Sequence, residues 1–147
     1  VLDHEAITAR LDKLDEYSKI LKELQKAARY EFIADYRIHG LAERYLQLSI
    51  ECLLDIGRLI ITGLGLQKPN RHQEIIEILW EAGIISTDLA SRLEGIAGFR
   101  NILVHDYLKI DRNLVYENLQ KGVTDLEDFA REIAEFLQKR FEGESCV

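Results

Sequence analysis

Residues 35–62, DYRIHGLAERYLQLSIECLLDIGRLIIT, decide the fold. Leu41, Tyr45, Leu48, Cys52, Ile56 and Leu59 recur at three- and four-residue steps and form one apolar stripe. Leu46, Ile50, Leu53, Gly57 and Ile60 form a second. Such steps place side chains on one face of an α-helix, whereas a half-buried strand alternates every two residues. Two stripes on one helix mean burial on two sides, one against the chain's own core and one available to a second chain. Gly63, Gly65 and Pro69 then break the helix.

The same period continues on either side. From Asp3 to about Arg29, Ile7, Leu11, Leu14, Leu21, Leu24 and Ala28 make a stripe, and the break before the next helix is expected near Asp35. Asn70 with Gln73 resembles a capping box and predicts a third helix through Ile75, Ile76, Leu79 and Trp80 to a stop near Gly83. Ser86, Thr87 and Asp88 offer N-caps for a fourth, carrying Leu89, Leu93, Ile96, Ala97, Ile102 and Leu103 as far as His105. Asp111 is the expected cap of the last helix, along which Leu119, Val123, Leu126, Ala130, Ile133 and Leu137 recur; its tail from Glu142 is expected to fray. The class predicted is all-α: one domain over residues 1–147, an antiparallel up-and-down bundle of four long helices plus one short.

Composition bounds the function. The 147 residues include a single Pro, which costs about 3 kcal/mol inside a helix. Nineteen Lys and Arg against 26 Asp and Glu leave a net charge of −7, which excludes a general coating of nucleic acid. Two cysteines, Cys52 and Cys146, provide no disulfide framework and no zinc spacing; Cys52 reads as a core residue and Cys146 as incidental. No metal site or cofactor is expected. The absence of a long apolar run or a leader-like start predicts a cytoplasmic protein away from the membrane. The acidity is uneven: from Arg92 to Arg112 four Lys and Arg stand against Glu94, Asp106 and Asp111, whereas residues 117–144 carry eight acids and four bases.

Chemistry concentrates in Phe99-Arg100-Asn101-Ile102-Leu103-Val104-His105-Asp106-Tyr107. Arg100 and His105 lie five apart, about 140° and about 7.5 Å on a continuous helix, while Asn101 and His105 share a face. These groups suit phosphodiester chemistry without a metal. A histidine titrates near neutrality and can take a proton from a ribose 2′-hydroxyl. A guanidinium matches phosphate oxygens and can stabilise charge developing at phosphorus. The asparagine can orient the ring or donate to an oxygen. The same residues also suit a plain helix C-terminus, where the dipole favours cations and a tyrosine can anchor the turn.

The stretch from Arg100 to Tyr107 resembles the signature of the HEPN superfamily, and more narrowly its HepT toxin branch: Arg, four residues, His, one residue, Tyr. Glu43–Glu51, Leu79–Ile85 and Tyr107–Asp111 extend the likeness over nearly the whole chain. The resemblance implies a helical bundle that dimerises and brings two motifs to one composite active site. It implies a metal-independent ribonuclease toxin acting on RNA, tRNA among the candidates, and not on DNA. It also implies a partner, a minimal nucleotidyltransferase antitoxin of the MntA kind, which transfers AMP to Tyr107. A different class is a non-catalytic helical module that only binds such a nucleotidyltransferase.

Arg44, Gln47, Glu51, Asp55 and Arg58 recur at helical steps. They either face the cleft and position Arg100 or His105, or form an exposed ladder of ion pairs. His4, His39 and His72 read as isolated surface residues. Asp125, Glu127, Asp128, Glu132 and Glu135 read as a solvated face, or as a docking surface for a basic patch of the antitoxin.

Overall fold

Capping groups start several of the helices. In the computed structural model, which describes residues 1–145 (with the side chains of Tyr107, Glu144 and Ser145 set aside), Asp3 accepts from the Ala6 N–H at 3.0 Å and opens α1, His4–Leu24. Arg29–Ala34 is the short α2. Asp35, in extended conformation, accepts from the Arg37 N–H at 2.9 Å and opens α3, Tyr36–Gly63. The remaining helices are α4, His72–Glu81; α5, Thr87–Arg92; α6, Ile96–Val104; and α7, Arg112–Ser145, with a single 3₁₀ turn at Tyr107–Lys109.

The long helices α1, α3 and α7 pack on one another, and α3 also carries α4 and α6. The second stripe of α3 is the buried one: Leu46, Ile50, Leu53 and Ile60 are all at most 3% exposed. It meets Ile7, Leu14 and Leu21 of α1 and Leu119, Leu126, Phe129 and Ile133 of α7 in one core. In the other stripe Ile56 is buried, Tyr45 stacks near Tyr17 with centroids 5.6 Å apart, and Leu41 stays exposed. Gly57 lets α4 approach, because a Cβ there would collide with the Ile75 side chain.

Several expectations need correction. The break before α3 falls at Asp35 as expected, but the first helix ends at Leu24 rather than near Arg29: Ala28 is extended, and Glu31 accepts from its N–H at 3.2 Å to start the short α2. The carboxylate that reaches back at the third helix is Glu74, which accepts from the Asn70 N–H at 2.8 Å, rather than Gln73. The expected fourth helix is two, separated at Gly95, whose φ of +84° is a left-handed conformation natural to glycine. The described residues therefore hold three long and four short α-helices. The last helix continues past Glu142 to Ser145. His39 is buried, 8% exposed, with its ring 6.2 Å from that of Phe32. Cys146 lies outside the described residues.

Candidate active site

Helix α6 is placed by its inner face. Ile96, Phe99 and Leu103 pack against the core at helical steps, which leaves Arg100 at the edge of that face beside α3. Only 18% of the Arg100 side chain is exposed. Its Nη2 donates to Glu51 Oε1 at 3.3 Å, and its Nη1 to Asn101 Oδ1 at 3.3 Å. Gln47 Nε2 donates to the same Glu51 oxygen at 3.3 Å. Gln47, Glu51, Arg100 and Asn101 thus form a continuous polar chain between α3 and α6.

Asp55 and Arg58 continue it along α3. Arg58 Nη1 donates to Asp55 Oδ1 at 2.8 Å, and Arg10 of α1 lies 3.9 Å from the other Asp55 oxygen. Arg44, one turn before this run, is exposed. His105 caps α6: its N–H donates to the Asn101 carbonyl at 2.8 Å, and its side chain is exposed. The backbone then turns through Tyr107–Lys109, where the Lys109 N–H donates to the Asp106 carbonyl at 2.7 Å. The side chain of Tyr107 lies outside what the structure describes.

One residue of this cleft reads in the sequence as an isolated surface histidine. His72, the first residue of α4, lines it together with Glu51, Asp55, Arg58 and Arg100. Burial, with the Arg58 and Arg100 guanidiniums nearby, holds its imidazole below the ordinary histidine range. No local sequence signal marks it, because the α3–α4 hairpin alone brings it to Arg58. No group of three or more His, Cys, Asp or Glu is arranged to hold a metal ion among the described residues.

The acids of α7 act as struts. Asp125 and Asp128 accept from Arg92 Nη1 at 2.7 and 2.9 Å, and Asp88 pairs with the other edge of that guanidinium at 3.0 Å. Glu132 accepts from the Ser86 N–H at 2.7 Å and Oγ at 3.0 Å, and Glu127 pairs with Lys22 at 2.8 Å. They fasten α5 and α1 to α7, which corrects the reading of a merely solvated face. Arg92, counted above toward the basic balance of the motif region, is neutralised.

The bundle thus presents Arg100 five and Asn101 four residues before the helix-capping His105. The chain belongs to the ribonuclease HepT-like family, which matches residues 14–133. It is 27% identical over 131 residues to the tRNA nuclease HepT of Aphanizomenon flos-aquae, covering 89% of each chain. To the mRNA nuclease HepT of Shewanella oneidensis it is 25% identical over 121 residues, 81% of this chain and 91% of that one. Among solved structures, a tri-AMPylated HEPN toxin of Shewanella oneidensis in complex with an MNT antitoxin superposes with a TM-score of 0.82. The identity is 23%, and 90% of this chain and 98% of the other are covered, so the shared fold is what it shows. No described helix is long and apolar enough to cross a membrane.

Proposed function

We propose that the chain is a metal-independent endoribonuclease toxin in which His105 is the general acid/base, Arg100 the stabiliser of charge at phosphorus and Asn101 an orienting residue. The observation that carries this is the Arg100 guanidinium, fixed between Glu51 and Asn101 at the rim of α6. A pre-oriented cation costs little reorganisation when charge develops on a phosphorane. His105, exposed at the helix end, is free to reach a substrate hydroxyl. It removes the 2′-hydroxyl proton; that oxygen attacks the adjacent phosphorus; the 5′-oxygen leaves and is protonated. The products are a 2′,3′-cyclic phosphate and a 5′-hydroxyl. Gln47, Glu51 and Asp55 position the arginines from α3, while Arg44 stands apart.

A homodimer completes the site in this reading. Leu108, 87% exposed next to the motif, supports self-association there. The second motif supplies a second His105 for the leaving oxygen. The family membership and the antitoxin complex of the Shewanella toxin support a nucleotidyltransferase partner that attaches AMP to Tyr107. Each added phosphodiester carries about one negative charge and competes with RNA for Arg100.

Purified chain is expected to cleave RNA in EDTA and His105→Ala is not; equal activity of the two removes the catalytic assignment. After co-expression with an MntA-type nucleotidyltransferase, intact mass should rise in whole AMP units, and Tyr107→Phe should abolish the rise. An unchanged wild-type mass, with active partner and ATP, ends the modification claim. A stable complex with no cleavage by the free chain would instead identify the non-catalytic module.

A further inference from the structure

The cleft that runs from Arg100 to Arg58 and His72 is balanced in charge. Arg58 and Arg100 are matched by Asp55 and Glu51, each pair in direct contact. Burial and the two guanidiniums disfavour the charged form of His72. Beyond Arg100 the lining therefore favours no net charge in what it holds. Yet the hydrogen-bonding capacity is not used up. The Nδ1 of His72 and the Nε of Arg100 are both buried and have no hydrogen-bond partner among the described residues. Buried polar atoms are normally satisfied, and leaving one bare is costly. Arg58 uses one nitrogen on Asp55, Glu51 accepts both its hydrogen bonds on Oε1, and the second Asp55 oxygen has only Arg10 at 3.9 Å, so both carboxylates keep spare lone pairs.

A neutral group that donates and accepts along one edge suits such a lining. We infer that the Glu51–Asp55–Arg58–His72–Arg100 cleft is a nucleobase subsite that reads a guanine next to the scissile phosphate. Guanine presents two adjacent donors, N1–H and N2–H, for a carboxylate, and two adjacent acceptors, O6 and N7, for a guanidinium fork. Proteins read single-stranded RNA by such contacts to splayed-out bases. The cleft opens onto Arg100, so a base held there lies beside the phosphate on which that residue acts. The inference rests on the RNA-cleaving reading for its substrate, but base binding itself is testable without cleavage.

Two measurements on the full chain decide it. In the first, guanosine and cytidine, both uncharged, are titrated while the His72 imidazole is followed by NMR. Guanosine should shift its resonances at concentrations where cytidine does not, and Arg58→Gln should weaken the guanosine response at least about tenfold. Equal responses to both nucleosides, or none, overturn the subsite. In the second, oligonucleotides carrying guanine, another base or an abasic residue beside a single cleavable linkage are compared. His72→Ala should reduce the guanine-to-abasic ratio of cleavage rates about tenfold. A purely structural role would lower both rates together and leave the ratio intact, which also overturns it. Cleavage without base preference and without guanosine binding ends the subsite and leaves the nuclease reading standing. Selective guanosine binding with no cleavage of any RNA does the reverse.

Discussion

Replacing Arg92 by Ala removes the cation at the centre of three carboxylates. Its side chain is 32% exposed, Asp125 19% and Asp128 25%, so both α7 contacts are partly shielded from water. A hydrogen bond to a fully buried charged group contributes about 1.5–3 kcal/mol and an exposed ion pair about 0–1. Discounted for this exposure, each α7 contact contributes about 1 kcal/mol. The Asp88 pair, with its carboxylate 79% exposed, adds only about 0.3 kcal/mol. The deletion also leaves Asp125 without its cation beside Asp128, which keeps Arg131 at 3.5 Å, and this costs a few tenths of a kcal/mol more. The total loss is about 2–3 kcal/mol, or roughly 6–10 °C in Tm. The carboxylates raise the Arg92 pKa further, Asp125 and Asp128 more than Asp88. A cation whose pKa is raised on folding by carboxylates stabilises from below its unfolded value down to the pH at which those carboxylates protonate, so the loss should persist across the neutral range. Urea melts of wild type, Arg92→Ala and Arg92→Lys measure it, with Lys intermediate because it keeps the charge and loses the fork. Adding Asp125→Asn to Arg92→Ala should recover part of the deficit. A loss below about 0.5 kcal/mol would show that α7 presents only a solvated acidic face, and would refute the strut.

Two glycines make a paired stability test. Gly57→Ala should cost about 1–2 kcal/mol despite its gain in helix propensity, because the new methyl meets Ile75 and Leu79; Gly122→Ala, with open space around it, should gain about 0.5–1 kcal/mol. Equal effects in chemical denaturation would contradict the close approach of α4. The depressed His72 pKa means that the unfolded chain binds the proton more readily. Stability from this group is present above its unfolded value near 6.5 and is lost as pH falls through that range. Between about pH 7.5 and pH 5.5, Tm should therefore fall further in wild type than in His72→Gln, and parallel curves would show that the imidazole is not held in the cleft.

The helical class was legible wherever the signal was local. The stripes of residues 35–62 announce α3 within one residue of its observed ends, and Asp35, Ser86 and Gly83 mark boundaries through groups that act on their own neighbours. The break at residues 25–28 was not legible, because Ala28 carries no turn chemistry and its extended backbone is imposed by the packing of α2 on α3 and α7. For the site, the spacing of Arg100, Asn101 and His105 is a property of the chain, and so is the succession of Gln47, Glu51 and Asp55 on one helix. What joins Arg100 to Glu51, or His72 to Arg58, is the docking of α6 and α4 on α3. These contacts link residues 49 and 14 positions apart, and no periodicity encodes them. The sequence by itself determined which residue types were available and which helix each rides on. Only the tertiary structure decided that two guanidiniums, two carboxylates and an imidazole share one cleft, because side chains from three helices meet only after the bundle has closed around its core.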